Sequence, residues 1–137
     1  MRHSGVDIHI EISGVCCIWA ALLFLILPVP WILAAFSAAV FHEMSHILAV
    51  FLSGGHITRL RIGVDGAVID ISELSEIRQF LCVLAGPVGS LLLLFIGDQL
   101  PKLAFCGIIQ GVFNLLPVYP LDGGRLCRLV VQKIRSH

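Results

Sequence analysis

The sequence predicts an α-helical integral membrane protein: about four transmembrane helices with a small antiparallel β-sheet on the cytosolic side. Three observations carry that prediction. Of 137 residues, 58% are hydrophobic and only 13% charged, with a mean hydropathy of +0.98; soluble domains average about 45–50% apolar and about 25% charged. Gly14–Phe41, Gln79–Gly97 and Leu103–Leu121 carry no acidic, basic or histidine side chain, and each exceeds the roughly 18 apolar residues that mark a spanning helix. Two other segments alternate polar and apolar residues with period two, as half-buried strands do.

The first alternating segment is Val-Asp-Ile-His-Ile-Glu-Ile-Ser, a strand over 6–13. The long uncharged stretch behind it exceeds one span and contains Pro28 and Pro30. Proline removes a helical hydrogen bond and favours a break, which divides the stretch into spans of about 14–29 and 31–52. At 1.5 Å per residue the first is only about 24 Å long, short for a hydrocarbon core of roughly 30 Å. A cleaved signal fits poorly: Asp7 and Glu11 sit where a basic flank belongs, and cleavage near Ala34–Ala39 would leave the next helix too short to span.

Residues 57–71 form the second alternating segment, with Leu60, Ile62 and Val64 on one side of Asp65-Gly66 and Ala67, Ile69 and Ile71 on the other. Asp-Gly between alternating runs is a hairpin signal, because both turn positions need positive φ. Spans of about 77–97 and 103–118 follow, joined by Asp98–Lys102, and a basic, partly amphipathic segment closes the chain at 125–137. Four spans put both termini on one side, with Arg2, Arg59, Arg61, Arg78, Arg125, Arg128, Lys133 and Arg135, against Lys102 alone on the other. Positive charge gathers on the cytosolic side, so both termini and the hairpin face the cytosol of a cell whose cytoplasmic membrane, by expectation bacterial, holds the protein. The whole chain, 1–137, reads as a single core.

Composition excludes other classes. Nine Lys+Arg balance nine Asp+Glu, so no net field points to nucleic acid. So much apolar surface excludes disorder. Cys16, Cys17, Cys82, Cys106 and Cys127 are odd in number and contain no C-x-x-C, which argues against a disulfide framework or a thiolate zinc site and for small apolar packing residues.

Chemistry concentrates at His42-Glu43-Met44-Ser45-His46, an H-E-x-x-H sequence. Helix positions i and i+4 share a face, so both imidazoles can reach one metal ion with the glutamate beside it. Neutral imidazole is a good zinc ligand, and catalytic zinc typically takes three protein ligands and a water. The bland alternative is a hydrogen-bonded packing histidine. His42, however, lies eleven residues after Trp31 and ten before Leu52, near the middle of a span, where ionisable groups are costly and mark function. A bound dication offsets that cost.

A third ligand must come from elsewhere, and Asp122 is the first charge after the fourth stretch. Alone it would read as a helix cap or turn residue before Gly123-Gly124; beside a two-histidine site short of a ligand, it reads as metal-binding. Asn114 precedes Pro117 and Pro120, which break the helix before Asp122. Its amide can contact substrate or a developing oxyanion, or simply bond a neighbouring helix. Gly86-Pro87-Val88-Gly89-Ser90 combines close backbone approach with a polar group and reads as packing.

Taken in order, HEMSH, AGPVGS and NLLPVYPLDGG resemble the site-2 protease family of intramembrane zinc metalloproteases, with the greatest likeness to the branch containing the stage IV sporulation protein FB. The resemblance covers about Val6 to Arg128. It implies one zinc ion held by His42, His46 and Asp122, with Glu43 activating water; it matches Asn114 to an asparagine near the active site. Ser90 stands where many members have asparagine. The implied reaction is regulated intramembrane proteolysis: cleavage of a membrane-spanning or membrane-associated segment, as of a tethered transcription or sigma-factor regulator. The implied partners are that protein substrate, membrane lipids and a regulatory protein, since family members with further spans or sensing domains are longer than 137 residues. Two rival functions remain: a catalytically idle client-binding protein of the same fold, against which the intact Glu43 argues, and a metal transporter, to which a hydrolytic glutamate gives no advantage.

Overall fold

The computed structural model describes residues 7–10, 26–63, 66–72 and 74–135, with side chains described for 26–55 and 74–135. Within them, strand β1 (Asp7–Ile10) is followed by helix α1 (Val29–Leu52), strands β2 (His56–Gly63) and β3 (Gly66–Ser72), and helix α2 (Glu76–Leu92), which tightens into a 3-10 turn at Leu93–Ile96. Helices α3 (Pro101–Asn114) and α4 (Asp122–Arg135) complete the order.

Helix α1 starts where its prolines allow. Pro30 occupies the first turn, where its missing N–H would have had no helical partner, and the carbonyl of Pro28 accepts from the N–H of Trp31 at 2.9 Å. Twenty-four residues make a rod of about 36 Å. It ends at Gly54, whose φ of 71° is left-handed, the conformation a helix terminus assigns to glycine. Arg78 then ties the start of α2 to this end, its Nη1 donating to the Ser53 carbonyl at 3.2 Å. Most of the first expected span, 14–29, lies outside the described residues, as do Val6 and 11–13 of the expected first strand and Val64 and Asp65 of the expected hairpin.

The strands form one sheet in the order β1-β2-β3. Strands β2 and β3 pair antiparallel, from Gly63 against Gly66 to His56 against Ser72, with an irregularity between Ile57 and Arg59. Strand β1 instead runs parallel to β2, Asp7 opposite Arg59 and Ile10 opposite Ile62, which corrects the expectation of a wholly antiparallel sheet. Only two residues separate β2 from β3, a spacing that permits only antiparallel pairing, whereas the long connection from β1 to β2, which includes α1, is the kind of crossover a parallel pair needs.

Two of the helical segments, Val29–Leu52 and Glu76–Ile96, are long and apolar enough to cross a membrane. Helix α3 is shorter than the expected 103–118. It stops at Asn114 because Pro117 offers no N–H and disfavours helical φ/ψ at Leu116. At 14 residues it rises about 21 Å. The basic final segment is helical over Asp122–Arg135; residues 136–137 lie outside the described residues.

The polarity of the assembly is inverted relative to a soluble protein. Phe36, Phe51 and Phe95 are 68%, 79% and 84% exposed, while His42, His46, Ser90 and Asp122 are buried. Glycines make the close helix contacts: a Cβ at Gly107 would stand 2.6 Å from the Ser90 carbonyl oxygen, and one at Gly111 3.1 Å from that of Pro87. Small residues that let backbones approach are how helices pack in lipid. A small apolar cluster of Val50, Leu74 and Cys82, flanked by Ala49, closes the end nearest the sheet.

Candidate metal centre

His42 and His46, one turn apart on α1, turn the same way into the interior. Their rings meet edge to face with centroids 4.8 Å apart, and their Nε2 atoms are 3.2 Å apart. Asp122 reaches them from the first turn of α4, with Oδ2 at 3.0 Å from His42 Nε2 and 3.2 Å from His46 Nε2. All three residues are buried.

The break between α3 and α4 delivers that carboxylate. Residues 115–121 fold back tightly: a Cβ at Gly123 would collide with the Leu115 carbonyl group, and one at Gly124 would stand 2.6 Å from the Tyr119 nitrogen. Only glycine leaves room for the chain to turn there and bring Asp122 inward.

The ring nitrogens pointing away from Asp122 are also engaged. His46 Nδ1–H donates to the Cys82 carbonyl at 2.8 Å. A carbonyl can only accept, so Nδ1 carries a proton, and in the neutral ring the lone pair then lies on Nε2. His42 Nδ1 lies 2.8 Å from Ser90 Oγ. Across the cluster, Arg125 Nη1 stands 4.0 Å from Asp122 Oδ1, the oxygen turned away from the imidazoles.

Such an arrangement could hold one metal ion. Tetrahedral zinc with bonds of about 2.0–2.1 Å to nitrogen and oxygen sets its ligand atoms about 3.3–3.4 Å apart. The observed edges of 3.0, 3.2 and 3.2 Å make one slightly contracted face of that tetrahedron. Two neutral imidazoles and one carboxylate are a donor set suited to zinc, and three ligands leave a position open for water. Next to His42, Glu43 has a buried Oε2 with no hydrogen-bond partner among the described residues. A buried carboxylate oxygen left unpaired is costly and calls for an explanation, which a water or substrate proton would supply.

Asn114 ends α3, partly buried, and no hydrogen bond among the described residues joins it to His42, His46 or Asp122. Ser90, by contrast, is drawn straight into the cluster although its motif reads as packing. Its signal was a polar residue inside an apolar span. The Cys82 carbonyl left no trace in the sequence, since any residue there supplies the same backbone oxygen.

Residues 15–113 match the family described as Peptidase M50B-like, and residues 96–137 match Peptidase family M50. The chain belongs to the M50B-like peptidase family. Relatives of this M50B-like chain include a Synechocystis protein named as a zinc metalloprotease, 28% identical over 130 residues, which cover 79% of this chain and 34% of that one. A zinc metalloprotease of Methanocaldococcus jannaschii is 26% identical over 142 residues, 93% of this chain and 39% of its own length. The chain therefore spans little more than a third of the relatives it matches. In fold it is similar to the site-2 protease structure from Methanocaldococcus jannaschii, with a TM-score of 0.71 at 22% identity, over 92% of this chain and 68% of that one.

Proposed function

We propose that this M50B-like chain is the catalytic core of a zinc-dependent endopeptidase that hydrolyses a peptide bond within or beside a membrane-embedded segment. The observation that carries this reading is the convergence of His42 Nε2, His46 Nε2 and Asp122 Oδ2 within 3.2 Å of one another, with Glu43 next to His42 in the chain and its buried Oε2 without a hydrogen-bond partner among the described residues. The names of the metalloprotease relatives support it.

In this mechanism His42, His46 and Asp122 would hold one zinc ion, which when bound would supply Lewis acidity towards a carbonyl oxygen and lower the pKa of water. Glu43 takes a proton from the attacking water and returns one to the departing amine. The Ser90 hydroxyl and the Cys82 carbonyl keep the two rings turned towards the shared point. The tight turn at 115–121, packed against Gly123 and Gly124, holds Asp122 there. A helical substrate must unwind locally before its carbonyl can enter, because helical carbonyls are already hydrogen-bonded. The partners are accordingly a membrane-spanning or membrane-associated protein substrate, the surrounding lipid and a regulatory protein. In the sporulation-type branch, to which HEMSH and NLLPVYPLDGG incline the chain, the substrate is a tethered regulator.

The exposed apolar side chains and buried polar centre support a membrane location for this chemistry, and the eight cationic residues on one side, against Lys102 alone on the other, support a cytosolic position for that side. The test is Glu43→Gln in the full chain, with bound zinc and cleavage of a membrane peptide measured separately. Zinc should be retained while cleavage falls by about 10²–10⁴-fold, the range for loss of a general base. Unchanged cleavage rejects Glu43 as the base.

A further inference from the structure

Helix α2 meets the two histidines with a spacing that copies theirs. Cys82, Gly86 and Ser90 recur every four residues and so share one stripe of α2, just as His42 and His46 share one stripe of α1. The helices run in opposite senses: the Cys82 carbonyl accepts from His46, while Ser90, two turns further on, bonds His42. Gly86, between them, is the clearing in which the His46 ring lies.

The two imidazoles are therefore held by partners of different kinds. A backbone carbonyl holds His46, and no substitution at 82 removes it. A side chain holds His42, and one oxygen atom decides whether that hold exists. Ser90 is wholly buried, and its position is fixed from behind by α3, where the bare Gly107 packs against its carbonyl and Gly111 faces its Cβ.

We propose that Ser90 is a positioning residue for metal binding: its Oγ, 2.8 Å from His42 Nδ1, accepts a hydrogen bond from the Nδ1–H, fixing the ring's rotation and leaving the Nε2 lone pair for the metal. This rests on the proposed zinc site and assigns the hydroxyl a role there beyond packing. A ligating histidine whose other nitrogen is anchored by a hydrogen bond presents one tautomer and one orientation, and removal of such an anchor typically lowers metal affinity by about 10–100-fold. Among the described residues the Ser90 side chain bonds His42 Nδ1 and not His46, Asp122 or Glu43, so its effect passes through His42.

The experiment compares wild type and Ser90→Ala as full-length, detergent-purified chains. Zinc affinity is measured by competition with a chromogenic chelator, and unfolding temperature is measured after metal removal. The variant should bind zinc about 10–100-fold more weakly, and its cobalt-loaded form should show an altered visible spectrum. Affinity within twofold of wild type, with the same cobalt spectrum, overturns the assignment. Histidine ¹⁵N NMR on zinc-loaded wild type needs no variant: His42 Nδ1 should carry a proton protected from exchange, and an unprotonated Nδ1 overturns the proposal even if the variant does not fold. A wild-type protein that binds no zinc removes the metal site itself and this proposal with it, whereas wild-type zinc binding left intact in Ser90→Ala removes the proposal alone.

Discussion

Gly86 lies flat against the His46 ring: a Cβ added there would collide with Nε2, the nitrogen turned towards Asp122. The glycine is thus part of the room in which the donors meet. Gly86→Ala should release most of the zinc and abolish cleavage, because the methyl group competes for the space of the ligand atom. Gly54→Ala provides the contrast. A Cβ there meets nothing within 4 Å, and its left-handed φ of 71° makes the change destabilising by about 1–2 kcal/mol. That variant should unfold at lower temperature while binding zinc normally. Equal zinc content in Gly86→Ala and wild type would show that the contact plays no part in the centre.

The carboxylate at 122 and the imidazole at 42 should be equally indispensable to metal retention. His42→Ala and Asp122→Ala each delete one corner of the triangle, leaving two donors where zinc needs three or four. Each purified variant should contain little zinc when its metal content is measured. A full complement in either removes that residue from the ligand set.

The extent to which this arrangement was legible in the sequence differs by element. The two histidines could be placed together because helical periodicity alone puts positions 42 and 46 on one face. Asp122 could be suspected from a missing ligand, yet its approach depends on a turn at 115–121 whose geometry no periodicity encodes. The end of α3 at Asn114 follows from Pro117, although the apolar run continues to Leu121 and conceals the stop. The parallel pairing of β1 is opposite to the expected antiparallel one, because alternation specifies a strand and its faces, not the direction of its neighbour. Ser90 was visible only as a polar residue in an apolar span; its meaning required knowing that α1 and α2 run antiparallel with matching four-residue spacing.

Topology makes a separate prediction. Cys127 is exposed on α4, among Arg125, Arg128, Lys133 and Arg135, on the side that the excess of positive charge predicts to be cytosolic. In a variant retaining Cys127 alone, a membrane-impermeant thiol reagent should label inverted vesicles and leave intact cells unlabelled. Labelling of intact cells would reverse the orientation.

X-ray absorption at the zinc edge of the purified, metal-loaded chain tests the central claim most directly. One zinc per chain should show only nitrogen and oxygen neighbours at about 2.0–2.1 Å, with the outer-shell signature of two imidazoles. A sulfur neighbour at about 2.3 Å, a single imidazole, or no stoichiometric zinc would contradict the joint hold of His42, His46 and Asp122.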